Sequence, residues 1–212
     1  MKTFKKAILL VACAALLVGA SIMGTLAFLQ DKTETITNTM TVGNVEITLD
    51  EALVNIQGEK LNKDGAVAQD GDLLADRITN GNSYKLVPGK TYIKDPTIHV
   101  AAGSENCYLF VKVENGIAGI EYDDAETKNI AEQLEENGWE PLANGSNVYY
   151  NENGVAGTDV VLFEHFRIKD DVKNNDLATY ADKTIAITAY AVQKAGFNSA
   201  TEAWDATFGL NP

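Results

Sequence analysis

Residues 106–113, with the sequence Asn-Cys-Tyr-Leu-Phe-Val-Lys-Val, decide the fold class of this 212-residue chain. Five consecutive apolar side chains, from Cys107 to Val111, are typical of a buried β-strand, so Cys107 is predicted to be a small core residue. Further strands are predicted on either side of this run, at residues 91–100, 160–168 and 184–193. Short strands separated by turns must bury one face against a second sheet, which predicts an antiparallel β-sandwich.

Two helices and several loops complete the predicted fold. Asp124 is placed to cap a helix that ends at Asn137-Gly138, and Ser199 begins a capping-box pattern before a second helix. The remaining segments are predicted as a hairpin at 149–155, a turn at 86–89, and loops with short edge strands at 51–82. The chain is therefore predicted to be mostly β, with one or two short surface helices.

The composition limits the partners of the chain. It carries 17 basic and 30 acidic residues, which gives a formal net charge of −13. Nucleic-acid binding depends on lysine and arginine side chains that neutralise phosphates, and an acidic surface repels phosphates. A length of 212 residues supports one sizeable domain. The composition therefore indicates an acidic domain that does not bind nucleic acid.

The first 29 residues have the pattern of an export signal. Three lysines among the first six residues form a basic end, and residues 7–29 contain no charge. The small residues of Thr25-Leu26-Ala27 suit a signal peptidase, so cleavage is predicted between Ala27 and Phe28. Cleavage removes three lysines and no acidic residue, which changes the net charge from −13 to −16. We expect a secreted protein that contacts the membrane only before cleavage.

The same segment has two other interpretations. Its uncharged run is long enough to span a bilayer, which would fit an uncleaved anchor with its N-terminus inside. Leu10-Val11-Ala12-Cys13 fits a lipoprotein signal, although the apolar run continues well beyond Cys13. Cleavage after Ala27 would leave Cys107 as the only cysteine, and no disulfide could then form within the chain.

The segment after the signal is a candidate interaction strand. Residues 33–42 alternate weakly, with Ile36, Met40 and Val42 on one face of an extended segment. After Gly43-Asn44 the apolar residues move from even to odd positions, beginning at Val45. Because side chains alternate with a period of two, this shift predicts a bulge or a bend at the glycine.

The sequence lacks the motifs of catalysis and of cofactor binding. It has no nucleophile elbow, no glycine-rich phosphate loop, no C-x-x-C and no H-E-x-x-H. His99 and His165 are its two histidines, and Glu164-His165 suggests a base beside a ligand. Neighbours on a strand face opposite sides, so Glu164 and His165 are not expected to share a site. The acidic pairs at 70–72, 123–124 and 170–171 lack the spacing of a calcium loop. From the missing motifs, the separated histidines and these acidic pairs together, we expect no catalytic residue, cofactor or metal.

Two stretches resemble a known family of exported proteins. Gly24-Thr25-Leu26-Ala27-Phe28-Leu29-Gln30-Asp31, followed by residues 37–45, resembles the TasA/camelysin family, whose signal is removed by a dedicated SipW-type peptidase. Residues 86–91 through 105–108 are similar to a turn and strand of that family, with Ala102-Gly103-Ser104 in place of its usual polar break. The rest of the chain matches only in its strand-rich character.

The resemblance implies a jelly-roll subunit that a Gram-positive type of cell secretes and that assembles into fibres of the biofilm matrix. In that family the new N-terminus of one subunit adds as a strand to its neighbour. The chain then divides into an export signal (1–27), a candidate donor strand (28–42) and a β-sandwich domain (43–212). Ile36, Met40 and Val42 are the expected anchors of the donor strand. The implied partners are further copies of the chain, the SipW-type peptidase and an accessory matrix protein.

Two other functions stay open. A monomeric surface adhesin or binding domain would have the same fold, but it would elute as a single size. Camelysin is described as a metallopeptidase, so a casein-cleaving enzyme is the second alternative. Two histidines without ligand-like spacing give that alternative little support, and we expect a protein that is not an enzyme.

Overall fold

The computed structural model of the protein describes residues 39–41, 44–122, 124, 127–143 and 146–209. The predicted signal, its cleavage site at Ala27 and Phe28, and the anchors Ile36 and Val42 lie outside the described residues. The described chain is mostly β, with antiparallel sheets and few short helices, as the sequence predicts.

The strands and helices follow one another along the chain with short connections. The strands are β1 (Thr39–Thr41), β2 (Val45–Asp50), β3 (Thr91–Ile93), β4 (Thr97–Val100), β5 (Cys107–Asn115), β6 (Glu140–Pro141), β7 (Val148–Gly154), β8 (Asp159–Val161), β9 (His165–Arg167) and β10 (Ile185–Gln193). The α-helices are α1 (Ile130–Glu136), α2 (Asn174–Leu177) and α3 (Ala200–Phe208), and single 3-10 turns lie at Ala118–Ile120 and Ala178–Tyr180.

Two four-stranded antiparallel sheets enclose one core. Their strand orders are β1-β2-β4-β8 and β10-β5-β7-β6, and β3 and β9 form a separate two-stranded sheet. Buried side chains from both large sheets belong to the same apolar cluster, with Ile47 from β2, Ile98 from β4 and Leu109 from β5. The alternation of β2, in which Val45 and Ile47 are buried and Glu46 is exposed, therefore reflects one face on the core and one in solvent.

β5 is the central strand of the second sheet and is buried on both faces. It pairs along its whole length with β10, from Cys107 opposite Gln193 to Asn115 opposite Ile185. Leu109 faces the core between the sheets, whereas Phe110 packs under α3, with its ring centroid 5.1 Å from that of Trp204. This double burial explains why five apolar residues follow one another without a polar position.

Two segments that were predicted as single strands each form two strands in different sheets. Residues 91–100 divide into β3 and β4 at Pro96, and residues 160–168 divide into β8 and β9. The halves remain partners, because β3 pairs with β9 and β4 pairs with β8. Pro96 has no N–H to donate to a ladder, and its carbonyl accepts instead from Leu162 at 2.9 Å, where both segments bend. The prediction of continuous strands was wrong at these bends.

The predicted hairpin at 149–155 is wrong as well, because β7 runs through it as one strand. Asn153-Gly154 has the composition of a turn, but Gly154 serves close packing instead. A Cβ at Gly154 would lie 2.5 Å from both the carbonyl oxygen and the sulfur of Cys107. The glycine therefore allows β7 to approach β5 where their register shifts.

The first predicted helix is shorter than expected. Asn129, not Asp124, is its N-cap, and it forms a capping box with Glu132. Asp124 instead accepts a hydrogen bond from the Thr127 N–H at 2.6 Å, within a turn. The stop at Asn137-Gly138 and the Ser199 cap of α3 agree with the predictions, since Gly138 has φ 78° and Ser199 accepts from the Glu202 N–H.

Candidate functional site

β1 lies at the edge of the first sheet and pairs with β2 of the same chain. The turn between them contains Asn44, whose φ is 64°, at the place where the sequence predicts a bend; Gly43 lies outside the described residues. Met40 is in register with the exposed Glu46, and the threonines on either side of it are in register with the buried Ile47 and Val45. Residues opposite one another in an antiparallel pair share a face of the sheet. The threonine positions of β1 therefore share the core face, and position 40 does not.

β10 is the edge strand of the second sheet and lies beside β1. Hydrogen bonds from the Lys194 N–H to the Asn106 carbonyl and from the Gly116 N–H to the Thr184 carbonyl fix the phase of its ladder with β5. Even-numbered residues of β10 therefore bond to β5, and odd-numbered residues direct their main-chain groups to the outer edge. Those odd-numbered residues are Ile185, Ile187, Ala189, Ala191 and Gln193.

The outer edge of β10 is buried although it has no strand partner among the described residues. Ile187, Ala189 and Ala191 are 7%, 6% and 0% exposed, and no described residue forms a main-chain hydrogen bond with their outward groups. Buried main-chain donors and acceptors are nearly always paired in proteins. We call this strand edge, Ile185 to Gln193, the acceptor edge.

A narrow cleft lies at the start of the acceptor edge. It has a volume of about 60 Å³ and is lined by Leu49 and Glu51 on one side and by Ile185 and Ile187 on the other. Among the described residues, β1 pairs with residues 45–47 of β2, and Leu49 lies two residues further along β2. The cleft is smaller than sites for small molecules usually are, but Leu49, Ile185 and Ile187 give it apolar surface that side chains of an added strand could contact.

A charged cluster, formed by Asp50, Arg77, Asp95, His99 and Asp159, covers the outer face of the first sheet. His99 on β4 bridges the two neighbouring strands, with Nδ1 2.7 Å from an Asp159 oxygen and Nε2 2.9 Å from an Asp50 oxygen. Partial burial disfavours the charged imidazole, but the hydrogen bonds to Asp50 and Asp159 outweigh it and raise the pKa of His99. Because both ring nitrogens are engaged, His99 links three neighbouring strands through its side chain.

Arg77 connects this cluster to the long segment between β2 and β3. Its Nε lies 2.5 Å from Asp50, and one Nη donates to the Asp95 carbonyl at 2.8 Å and to the Thr97 hydroxyl at 2.9 Å. Burial opposes ionisation of Asp95, but hydrogen bonds from the Ala52 N–H and other donors prevail and lower its pKa. These hydrogen bonds of Arg77 connect the segment between β2 and β3 to the sheet.

A second ion pair is buried beneath the cluster. Lys94 Nζ lies 2.5 Å from Glu51, and both side chains are 7% exposed. The other Glu51 oxygen accepts from the main-chain and side-chain N–H groups of Asn82, at 2.9 and 2.8 Å. Burial, followed by the Glu51 charge, raises the pKa of Tyr84 nearby. These bonds fix the end of β2 beside the acceptor edge.

The histidines and acidic pairs considered from the sequence do not come together. His99 lies in the first four-stranded sheet and His165 in the two-stranded sheet. The main-chain N–H groups of Glu164 and His165 both donate to the Gln133 side-chain oxygen, at 3.1 and 3.4 Å. Across the described ranges, no three His, Cys, Asp or Glu side chains are grouped so that they could hold a metal ion.

The acidic pairs have local partners in loops. Asp72 accepts from the Gln69 N–H and from the Asn62 amide, which lowers its pKa and closes a turn. Asp170 accepts from Arg167, and Asp123 lies outside the described residues.

Cys107 is buried, and burial raises the pKa of its thiol to about 11. In the described part of the chain, no helix is long and apolar enough to cross a membrane.

Sequence patterns did not reveal one cavity of about 340 Å³, which is lined by both polar and apolar side chains. It lies between α1 and the adjoining ends of β5 and β7, and its walls include Glu121, Tyr149 and Lys169. These residues come from separate elements, so no spacing along the chain could have identified them.

The chain was also compared with known proteins. No protein-family model matches it, and no curated protein or solved structure matches it either. Its function is therefore inferred from the acceptor edge, the N-terminal strand and the sequence resemblance.

Proposed function

We propose that the protein is a secreted structural subunit of biofilm-matrix fibres, in which the N-terminal strand of one copy adds to the acceptor edge of the next. The observation that carries this proposal is the set of buried, outward-directed main-chain groups on β10. The resemblance of residues 24–45 to the TasA/camelysin family supports the same function. The partners are other copies of the chain, the SipW-type peptidase that frees Phe28, and an accessory matrix protein.

Strand addition would satisfy the acceptor edge directly. Each main-chain hydrogen bond contributes about 1 kcal/mol net, and a buried group left unpaired costs about as much or more. Residues 28–42 contain no proline, so the segment can donate and accept along its whole length. Its alternating apolar residues, Ile36, Met40 and Val42, would supply the side chains that fit pockets along the edge.

The register of β1 supports a role for this segment outside its own core. The apolar position 40 is opposite exposed Glu46, whereas Thr39 and Thr41 are opposite buried residues. Pairing within the chain thus places positions 39 and 41 opposite core residues and position 40 opposite an exposed residue. A second copy would provide the apolar surface that this face lacks.

The test compares the size of four proteins after removal of the signal. We expect the chain that begins at Phe28 to form high-mass species, and the chain that lacks residues 28–42 to stay monomeric. Ala189→Pro removes an outward N–H without touching the bonds to β5, so it should fold and stay monomeric. Ala189→Ser keeps that N–H at nearly the same volume and should assemble.

Circular dichroism of each variant confirms that it is folded before its size is compared. Assembly of the truncated chain or of Ala189→Pro at the native level would contradict the proposal. Elution of every form, native chain included, as one monomeric species would favour the adhesin alternative.

A further inference from the structure

Lys94 is a buried lysine that shares its carboxylate partner with an asparagine side chain. Its Nζ lies 2.5 Å from Oε2 of the buried Glu51. The other oxygen of that carboxylate, Oε1, accepts a hydrogen bond from the side-chain nitrogen of Asn82, Nδ2, at 2.8 Å. One carboxylate therefore bridges an amine and a carboxamide, which are two groups that can combine to form a new amide. We call Glu51, Asn82 and Lys94 the Lys94 triad.

The Asn82 side chain is held in one orientation. Its Nδ2 donates to the Ala52 carbonyl at 2.9 Å as well as to Glu51, and its Oδ1 accepts from the Val54 N–H at 3.0 Å. A donor fixed on a carbonyl oxygen stabilises the negative charge that develops there when a nucleophile attacks the carbonyl carbon. The Val54 N–H is such a donor for the Asn82 carboxamide.

The segments that carry Asn82 and Lys94 are fastened to each other. Tyr84 lies two residues after Asn82, and its ring centroid is 5.8 Å from that of Tyr92. Its hydroxyl donates at 3.0 Å to the carbonyl of Ile93, which directly precedes Lys94. These contacts hold the amine and the carboxamide against the same carboxylate. Fixed proximity of two reacting groups accelerates their reaction strongly.

A path to solvent reaches the Lys94 triad. The cleft of about 60 Å³ at the start of the acceptor edge is lined by Glu51 and Lys94, and also by Gly81, which directly precedes Asn82. A space of this volume admits molecules of the size of water, and ammonia has a similar size. A small product formed at the triad can therefore leave through the cleft.

We propose that the side chains of Lys94 and Asn82 become joined by an amide bond, with Glu51 as the group that moves the protons. Glu51 Oε2 accepts a proton from Lys94, which leaves the uncharged, nucleophilic amine. The amine nitrogen forms a bond to Asn82 Cγ, and the bond from Cγ to Nδ2 breaks as Glu51 returns the proton to the leaving nitrogen. Ammonia leaves and takes up the remaining proton of the amine. A charged amine and a carboxamide thus give an amide and an ammonium ion, so atoms and charge balance.

The ion pair of Glu51 and Lys94 is the reactant of this step. Freshly folded protein therefore carries the ion pair, and incubated protein carries the bond. The bond closes residues 82–94 into a covalent loop, which restricts the unfolded chain and so stabilises the folded one. None of the three residues belongs to β1 or β10, so the reaction does not depend on strand addition.

The experiment incubates the folded chain that begins at Phe28 near neutral pH for one week and follows its intact mass. We expect a loss equal to the mass of one ammonia molecule. Trypsin should then release residues 78–85, which contain Asn82, linked to residues 91–112, which are not cut after Lys94. A cyclic imide at an asparagine would lose the same mass but would leave these two peptides separate.

Three variants assign the reaction to its groups, and circular dichroism confirms that each is folded. Lys94→Arg keeps a positive charge beside Glu51 but has no amine, so its mass should not change. Glu51→Gln keeps the amine and the carboxamide but removes the proton acceptor, and should slow the reaction at least about a hundredfold. Lys60→Arg is the matched control, because Lys60 pairs with Asp95 at a more exposed site, and it should react as the native chain does.

Thermal unfolding gives a second readout. The melting temperature of the native chain and of Lys60→Arg should rise during incubation, whereas that of Lys94→Arg should stay constant. Unchanged mass of the native chain, absence of the linked peptides, or equal rates in Glu51→Gln and the native chain would overturn the inference. The linked peptides of the native chain decide the outcome even where a variant fails to fold. The chain that lacks residues 28–42 should react equally, so this result is independent of fibre formation.

Discussion

His99 is the residue whose contribution to stability should depend most clearly on pH. Its pKa is raised in the folded protein, so its stabilising effect is complete below the ordinary histidine pKa and is lost as pH rises through the folded value. We expect His99→Gln to lower the free energy of unfolding by about 1 kcal/mol near pH 6, with a smaller difference near pH 9. Urea unfolding at several pH values measures this difference.

The partner carboxylates supply the control for this prediction. Asp159→Asn removes the charge from one of the two groups that hold His99, while Asp50 and the nearby Arg77 remain. It should therefore reduce the pH dependence without abolishing it. A constant difference in unfolding free energy between the native protein and His99→Gln over this pH range would show that the neighbouring carboxylates do not raise the pKa of the imidazole.

The buried pair of Glu51 and Lys94 should be sensitive to the loss of one partner alone. Lys94→Met leaves an uncompensated carboxylate at 7% exposure, and we expect it to cost about 3 to 5 kcal/mol of unfolding free energy. The double variant Glu51→Gln/Lys94→Met removes both charges and keeps an acceptor for Asn82, so it should recover most of that loss. Equal losses in the single and double variants would contradict this account.

At the level of elements, Gly154 controls how closely β7 approaches β5. A Cβ there would lie 2.5 Å from two atoms of Cys107, so we expect Gly154→Ala to destabilise the protein by about 1 to 3 kcal/mol through overpacking. Gly103→Ala is the matched control, because its Cβ would meet only the Asn44 amide at 3.7 Å. Thermal unfolding distinguishes the two, and an equal effect of both changes would exclude the packing explanation.

The elements that could be predicted are those that local pattern determines. β5 and β10 have long apolar runs, and Ser199 caps α3 through its own side chain, so neighbouring residues suffice. The divided strands, the extended β7 and the later start of α1 depend on partners distant in sequence. Pro96 accepts from Leu162, and Gly154 packs against Cys107, so neither role is visible in the residues around it.

One candidate site could likewise be predicted from the sequence, whereas the others depend on how distant elements pack together. The N-terminal segment could be proposed as an interaction strand from the sequence because its alternation and its position after the predicted signal are local features. The acceptor edge needed the ladder register between β10 and β5, which decides which main-chain groups point outward. The cavity beside α1 needed the packing of α1, β5 and β7 against one another, and Glu121, which lines it, is not distinctive in the sequence.

At the level of the whole molecule, the proposed fibre would grow at a rate set by charge and with a geometry set by the strand edge. A chain without its signal carries a net charge of −16, so two copies repel one another before the N-terminal strand reaches the acceptor edge. Raising the ionic strength from about 0.01 to 0.1 M shortens the Debye length from about 30 to 10 Å. We expect seeded elongation to become about tenfold faster over this range, as measured by light scattering.

The Ala189→Pro variant distinguishes strand addition from non-specific salting-out in the same assay. Salt screens charge in both proteins, but the variant lacks a main-chain donor in the middle of the acceptor edge, so it should not elongate native seeds at either ionic strength. Slower elongation of the native chain at high salt would instead indicate that opposite charges attract across the interface. In that case the charged cluster around His99, not the edge of β10, would be the first surface to examine by substitution.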